Sequence, residues 1–144
     1  MLKNIHPLLF PDLLHALASM GHGDEIAIVD ANFPATSVAA HTILGHPLQI
    51  GTDVIAAVEA VLTVLPVDTF DPDQAPVRGM QVVGAADAIP DVVAQAAPYF
   101  AGAGAEIVLI ERFAFYEAAM AAYAILQTTE TRHYGNFIIR KGVV

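Results

Sequence analysis

Cysteine is absent from all 144 residues, which removes disulfides, thiolate zinc sites and cysteine nucleophiles from consideration. Basic residues are scarce: six Lys and Arg stand against fifteen Asp and Glu, for a formal net charge of −9. Nucleic-acid binding and docking of a helix on anionic lipid both call for a basic footprint, so both are disfavoured. Long apolar runs are missing too. The longest candidate, Val54 to Val67, is interrupted by Glu59 and Pro66 and falls short of the ~20 residues that cross a bilayer. The opening Met1-Leu2-Lys3-Asn4-Ile5-His6-Pro7 has neither a long apolar signal core nor a small-residue cleavage site. The expectation is a soluble cytoplasmic protein. Charged residues are only 15%, against ~25% in an average domain, while mean hydropathy is +0.56. Such a surface is expected to be covered in a homo-oligomer; the plainer alternative is that abundant alanine inflates the hydropathy. The length suits one domain over residues 1–144.

What is present is an alternation of helical and Val/Ile-rich segments, without repeats or low-complexity tracts. Pro11 to Met20 reads as a helix with Pro11 in its first turn, a Leu13, Leu14 and Leu17 stripe, and Gly21 as a left-handed stop. Glu25 to Val29 reads as a buried strand that ends in an Asp30-to-Pro34 loop. Thr52 is the expected cap of a helix from Asp53 to Val64. Pro66 to Val77, with three prolines and three aspartates, reads as an exposed connection. A short strand at Gln81-Val82-Val83, a helix from Ile89 to Phe100 and a second buried strand from Glu106 to Glu111 follow. Phe113 to Ala122 reads as a helix, with strands at Tyr123–Thr128 and Phe137–Arg140. This order predicts an α/β domain with helices covering a central sheet.

Polar residues gather at the ends of these elements. In Gly21-His22-Gly23-Asp24-Glu25 two glycines let the backbone turn sharply around an imidazole, whose unperturbed pKa of ~6.5 suits acid–base work; the alternative is an exposed helix cap. Asp30 follows a strand, where ligands of open α/β sheets tend to bind; the alternative is a loop-initiating cap. Arg112 follows another strand, and its guanidinium forks well onto oxygen-rich ligands; the alternative is an ion pair with Glu111 or Glu117. In Tyr134-Gly135-Asn136, a phenol and a carboxamide suit a neutral hydroxylated ligand; the alternative is a plain hairpin turn. His6, His15, His41, His46 and His133 are weaker candidates. His41 and His46 are separated by Gly45, so no ligand-spaced pair forms and no metal is expected. No phosphate loop or GxGxxG is present, and Gly102-x-Gly104 precedes a strand, the wrong order for a dinucleotide. No cofactor is expected.

Together, Gly21-His22-Gly23-Asp24-Glu25, Asp30-Ala31-Asn32-Phe33-Pro34-Ala35, Arg112-Phe113-Ala114-Phe115-Tyr116-Glu117 and Tyr134-Gly135-Asn136 with Lys141-Gly142-Val143 resemble the RbsD/FucU family. Ile5-His6-Pro7-Leu8, Leu13-Leu14 and Met20 are similar too. The resemblance runs from Met1 to Val144 and is least distinctive between about Thr42 and Gly104. The Arg-Phe-Ala-Phe-Tyr-Glu and Tyr-Gly-Asn segments look like the fucose mutarotase branch; the ribose pyranase branch tends to carry Ala where Gly135 stands. A departure is that some fucose mutarotases have His where Asn32 and Thr36 stand.

The resemblance implies a single-domain three-layer α/β/α sandwich. It implies cofactor-free interconversion of monosaccharide anomers and a homo-oligomer, often a decameric ring, with pockets near subunit contacts. Carried onto this chain, it makes His22 the catalytic residue and Asp30, Arg112, Tyr134, Gly135 and Asn136 sugar-binding. Tyr116 is a second candidate for assisting proton transfer. Two other readings are a ribose pyranase-type ring-form isomerase and a non-catalytic sugar-binding accessory of a transport system.

Overall fold

Neighbouring residues of one strand feed two different cores. The computed structural model describes residues 1–144. Its first strand, β1 (Glu25–Val29), is buried beyond Glu25. Ile26 and Ile28 join one apolar cluster, while Ala27 and Val29 join another. Side chains alternate across a strand, so a strand apolar on both faces needs a layer of helix on each.

The helices supply those layers. α1 (Pro11–Ser19), α3 (Val54–Leu62) and α4 (Asp91–Gly102) contribute Leu13, Val58 and Phe100 to the larger cluster. α2 (Ala35–Ala39) and α5 (Arg112–Met120) contribute Val38 and Phe115 to the smaller one. The remaining strands are β2 (Leu48–Gln49), β3 (Val77–Met80), β4 (Ile107–Ile110), β5 (Ala124–Gln127) and β6 (Phe137–Arg140). β5 and β6 alternate as β1 does, with Ala124, Leu126, Phe137 and Ile139 on one side and Ile125 and Ile138 on the other. This is the expected three-layer α/β/α sandwich. Phe137 has no exposure, and its loss to alanine is expected to cost ~3–5 kcal/mol.

The sheet order is β2-β5-β1-β6-β3-β4. β1 pairs with β5 in parallel, and so does β3 with β4. β6 is antiparallel to both of its neighbours, with Ile28 opposite Phe137 and Gly79 opposite Phe137 on the other side. The start of β6 therefore lies beside the finishes of β1 and β3, and loops from both chain directions meet at that end.

Several local expectations are corrected. β1 and β6 have the expected bounds, but β4 is an edge strand, with Val108 46% exposed. The Pro66–Val77 segment is not simply exposed: Val67 bridges Lys141, and Asp68 is buried. β3 runs from Val77 to Met80, ahead of the expected Gln81–Val83. Asp53, one residue after Thr52, caps α3 by accepting from the Ala56 N–H at 2.9 Å. Gly21 is not left-handed; α1 ends on Met20 in an extended conformation, and Gly23 carries the positive φ of 87°.

Candidate functional site

A cavity of about 390 Å³ opens at the end of the sheet where β1, β3 and β4 finish and β6 begins. Asp30, Arg112, Tyr116, Tyr134 and Asn136 all line it.

Asp30 and Asn136 reach it from adjacent strands. Asn136 accepts from the Asp30 backbone N–H at 2.9 Å and donates its side-chain amide to the Asp30 carboxylate at 3.1 Å. The other carboxylate oxygen accepts from the Asn32 N–H at 2.9 Å. Burial pushes the Asp30 pKa up, and these donors, with the nearby His133, only partly offset it. A buried carboxylate in this state is a good acceptor for sugar hydroxyls and exchanges a proton more readily than an exposed one.

Arg112 is the first residue of α5. The alternative reading, an ion pair with Glu111 or Glu117, does not form; the Glu111 carboxylate instead caps α5, accepting from the N–H groups of Phe113 and Ala114. The guanidinium lies 4.7 Å above the Phe113 ring. Its Nε is buried and has no hydrogen-bond partner. A buried donor left unpaired is costly, and Arg112 is also one of the residues that line the cavity.

Tyr134 adopts a left-handed backbone, φ 66°, a conformation that side-chain-bearing residues hold only when their surroundings enforce it. The next residue is tightly placed as well: a Cβ on Gly135 would stand 2.9 Å from the Glu130 side chain. Glu130 in turn is tied to Arg132 through Nε and Nη2, each at 2.9 Å. The Tyr134 phenol accepts from the Val83 N–H at 3.1 Å, which leaves its own proton available to donate.

His133, only a weak candidate by sequence, also lines the cavity; its adjacency to Tyr134 was the available signal. Phe33, Met80 and Val83 complete an apolar wall, with the Phe33 and Tyr116 rings 5.5 Å apart. An apolar wall facing a polar rim suits a pyranose, which has one C–H face and a belt of hydroxyls. No three His, Asp or Glu side chains converge as a metal site.

His22 is elsewhere. It precedes β1, whereas Asp30 follows it, and a five-residue strand is about 16 Å long. Asp30 therefore does not orient this imidazole within one chain. His22 Nε2 lies 3.2 Å from the Asp68 carboxylate, and the His22 side chain is 47% exposed. Phe70, which is 79% exposed, stands edge-on to it.

The family described as the RbsD / FucU transport protein family matches residues 3–144. The chain is 41% identical over 150 residues to a fucose mutarotase of Bos taurus, covering 99% of this chain and 94% of that one. Among solved structures, it is similar to the fucose mutarotase of Streptococcus pneumoniae in complex with L-fucose, at 35% identity, 99% coverage of both chains and a TM-score of 0.83. The FucU of Bifidobacterium longum is 35% identical with a TM-score of 0.88, again with 99% of each chain covered. No helix of the chain is long and apolar enough to cross a membrane.

Proposed function

The chain belongs to the RbsD/FucU family, and from that premise we propose that it is a mutarotase, an isomerase that interconverts the anomers of L-fucose or a closely related monosaccharide. The observation that carries this reading is the convergence of Asp30, Asn136 and Arg112 on a cavity walled by Phe33, Met80 and Tyr116.

Mutarotation opens the ring by taking the proton from the anomeric hydroxyl and giving one to the ring oxygen. The C1–C2 bond then turns and the ring recloses on the other face. Asp30 and Arg112 grip the hydroxyls, and Asn136 acts with Asp30 as one fixed unit. The Tyr134 phenol, with its oxygen already accepting from Val83, donates toward the anomeric oxygen. His22 takes the proton from the anomeric hydroxyl and returns it to the ring oxygen, so that none is gained or lost, the kind of step worth ~10²–10⁴ in rate.

For His22 to do this it must come from a second copy, because its own chain places it at the far end of β1. Apolar surface supports such a contact on both sides: Phe70 beside His22, Val83 at the cavity, and Phe113 next to Arg112, are exposed. The edge strand β4 adds an unpaired backbone. A closed homo-oligomer, the decameric ring, satisfies these surfaces together.

Saturation-transfer NMR at the anomeric protons of fucose, ribose and galactose tests the function. Accelerated exchange for fucose is expected, falling ~10²–10⁴-fold in His22→Ala. Fucose binding without accelerated exchange would make the protein a sugar-binding accessory instead.

A further inference from the structure

We infer that the chain carries a second binding site, separate from the cavity of Asp30 and Arg112, that takes a neutral, many-hydroxylated ligand of monosaccharide size. It lies where β1, β5 and β2 finish, and Gln49 and Gln127 supply its carboxamides. The inference stands whether or not the first cavity is that of a mutarotase.

β1, β5 and β2 run parallel, so their carboxyl ends open on the same side of the sheet, where ligands of such sheets bind. A cavity of about 500 Å³ stands there. It is larger than the cavity of about 390 Å³ beside β6, so it has the volume for any ring the first can hold. The two share one loop: Ala31 lines the second cavity, while Asp30, Asn32 and Phe33 line the first.

The floor is fixed by backbone. The Ile50 N–H donates to the Gln127 carbonyl at 3.0 Å, and the Thr129 N–H donates to the Thr52 carbonyl at 2.9 Å. Gln49 and Gln127 are register partners, so their side chains stand side by side on one face. Their amides are loosely tied. Gln49 Nε2 lies 3.5 Å from Gln127 Oε1, and Gln127 Nε2 lies 3.4 Å from the carbonyls of both Ala31 and Phe33. Ordinary N–H···O bonds span ~2.7–3.2 Å. Carboxamides held this weakly can turn a donor and an acceptor to an incoming hydroxyl. Thr129, exposed at the rim, adds a hydroxyl of its own. Thr128 supplies only wall, because its hydroxyl already donates to the Val29 carbonyl at 2.8 Å and accepts the Glu130 N–H at 3.2 Å.

Charge selects the ligand class. No residue lining this cavity is ionisable. The neighbouring carboxylates are committed: Asp30 to Asn136 and Asn32, Asp53 to the Ala56 N–H, and Glu130 to Arg132. A charged ligand therefore finds no counter-charge, and an anion also meets a chain of net charge −9. Donors and acceptors together, against the apolar Ala31 and Ile50, suit a sugar. With no acid or base in its wall, the site holds the sugar without converting it.

Methyl NMR of isotope-labelled protein titrated with L-fucose reads the two cavities separately. Ile50 and Thr129 report on the second, and Met80 and Val83 on the first. The expected result is that Ile50 and Thr129 shift along a saturating curve of their own. Gln49 is exposed at the sheet edge, so Gln49→Ala is expected to fold. It should weaken the Ile50 and Thr129 curve ~3–10-fold, the weight of one neutral hydrogen bond, and leave the Met80 and Val83 curve in place. Gln127 is the poorer choice for substitution, since its amide also holds the loop of Asp30. Ile50 and Thr129 signals that stay still up to ~0.1 M fucose, where a millimolar site is ~99% filled, overturn the inference. So do signals that follow the Met80 and Val83 curve, which report a change passed through the shared loop, and so does an unaltered curve in Gln49→Ala. Glucose 6-phosphate is expected to leave Ile50 and Thr129 in place; a shift equal to that with fucose overturns the neutral ligand class. If the mutarotase reading alone is wrong, Ile50 and Thr129 still respond while anomer exchange is not accelerated.

Discussion

Asp30 and Asn136 hold each other at two points: a backbone N–H to the amide oxygen at 2.9 Å, and the amide nitrogen to the carboxylate at 3.1 Å. Both residues are buried, so neither side chain can be removed without stranding a polar group of the other.

Asn136→Ala leaves the buried Asp30 N–H without its acceptor. The expected cost is about 1–3 kcal/mol, together with a large fall in anomer exchange because the carboxylate loses its donor. Urea unfolding and saturation-transfer NMR measure the two effects. Unchanged stability would mean that water replaces the amide.

Arg112 makes no ion pair within the chain, so Arg112→Ala is expected to leave folding nearly untouched. Affinity should suffer instead. A hydrogen bond to a charged group contributes about 1.5–3 kcal/mol, which is a ~10–100-fold weaker sugar Kd. Calorimetric titration with fucose reads it directly, and an equal affinity in the variant removes Arg112 from the binding set.

Two impaired variants are expected to rescue each other. His22→Ala and Arg112→Ala chains, unfolded together and refolded as a mixture, form some contacts that join an intact cavity to an intact imidazole. Exchange activity above that of either variant alone is the expected outcome. A mixture as inactive as its components would place both residues in the site of a single chain, or His22 outside it.

Acid weakens the loop that carries Tyr134. The bidentate contact with Arg132 holds the Glu130 pKa down from 4.5 to about 2. The folded protein therefore binds fewer protons here than the unfolded chain. The contribution is complete above about pH 4.5 and drains away as pH falls toward 2. Arg132 is 41% exposed, so solvent screens part of it. Asp30 acts with the opposite sign: burial raises its pKa, and acidification relieves that strain. Glu130→Gln should flatten the fall in stability between these pH values, as read by thermal unfolding; an unaltered profile would show that other carboxylates govern it.

Sequence reading reached furthest where structure is local. β1 and β6 are uninterrupted apolar runs between polar ends, and their bounds were legible. α2 and β2, at five and two residues, are too short to carry a period. β3 contains Arg78 and Gly79, which break the apolar run that marks a strand. β4 has the composition of a buried strand yet lies at the sheet edge, because an apolar run reports that a surface will be covered and not by what. Asp30, Arg112, Tyr134 and Asn136 were legible as polar residues at strand ends. Asp68 was not: it is buried by pairing with the β6 tail, a contact 72 residues long in the case of Arg140.

The position of β6 has a consequence for the growing chain. β6 is the last strand in chain order, yet it lies between β1 and β3. A growing chain in which β6 is not yet available can pair at most two half-sheets, β2-β5-β1 and β3-β4, each with a bare inner edge and no strand hydrogen bonds between them. Loop-closure entropy has been spent with little return, and open strand edges are the surfaces on which chains stick to one another. Phe137 to Arg140 join the halves in one step, and in doing so bring Asn136 to Asp30 and Arg140 to Asp68. The Asp30–Asn136 pair of the cavity and the Asp68–Arg140 contact therefore form together, once β6 is in place, and a chain without β6 has neither.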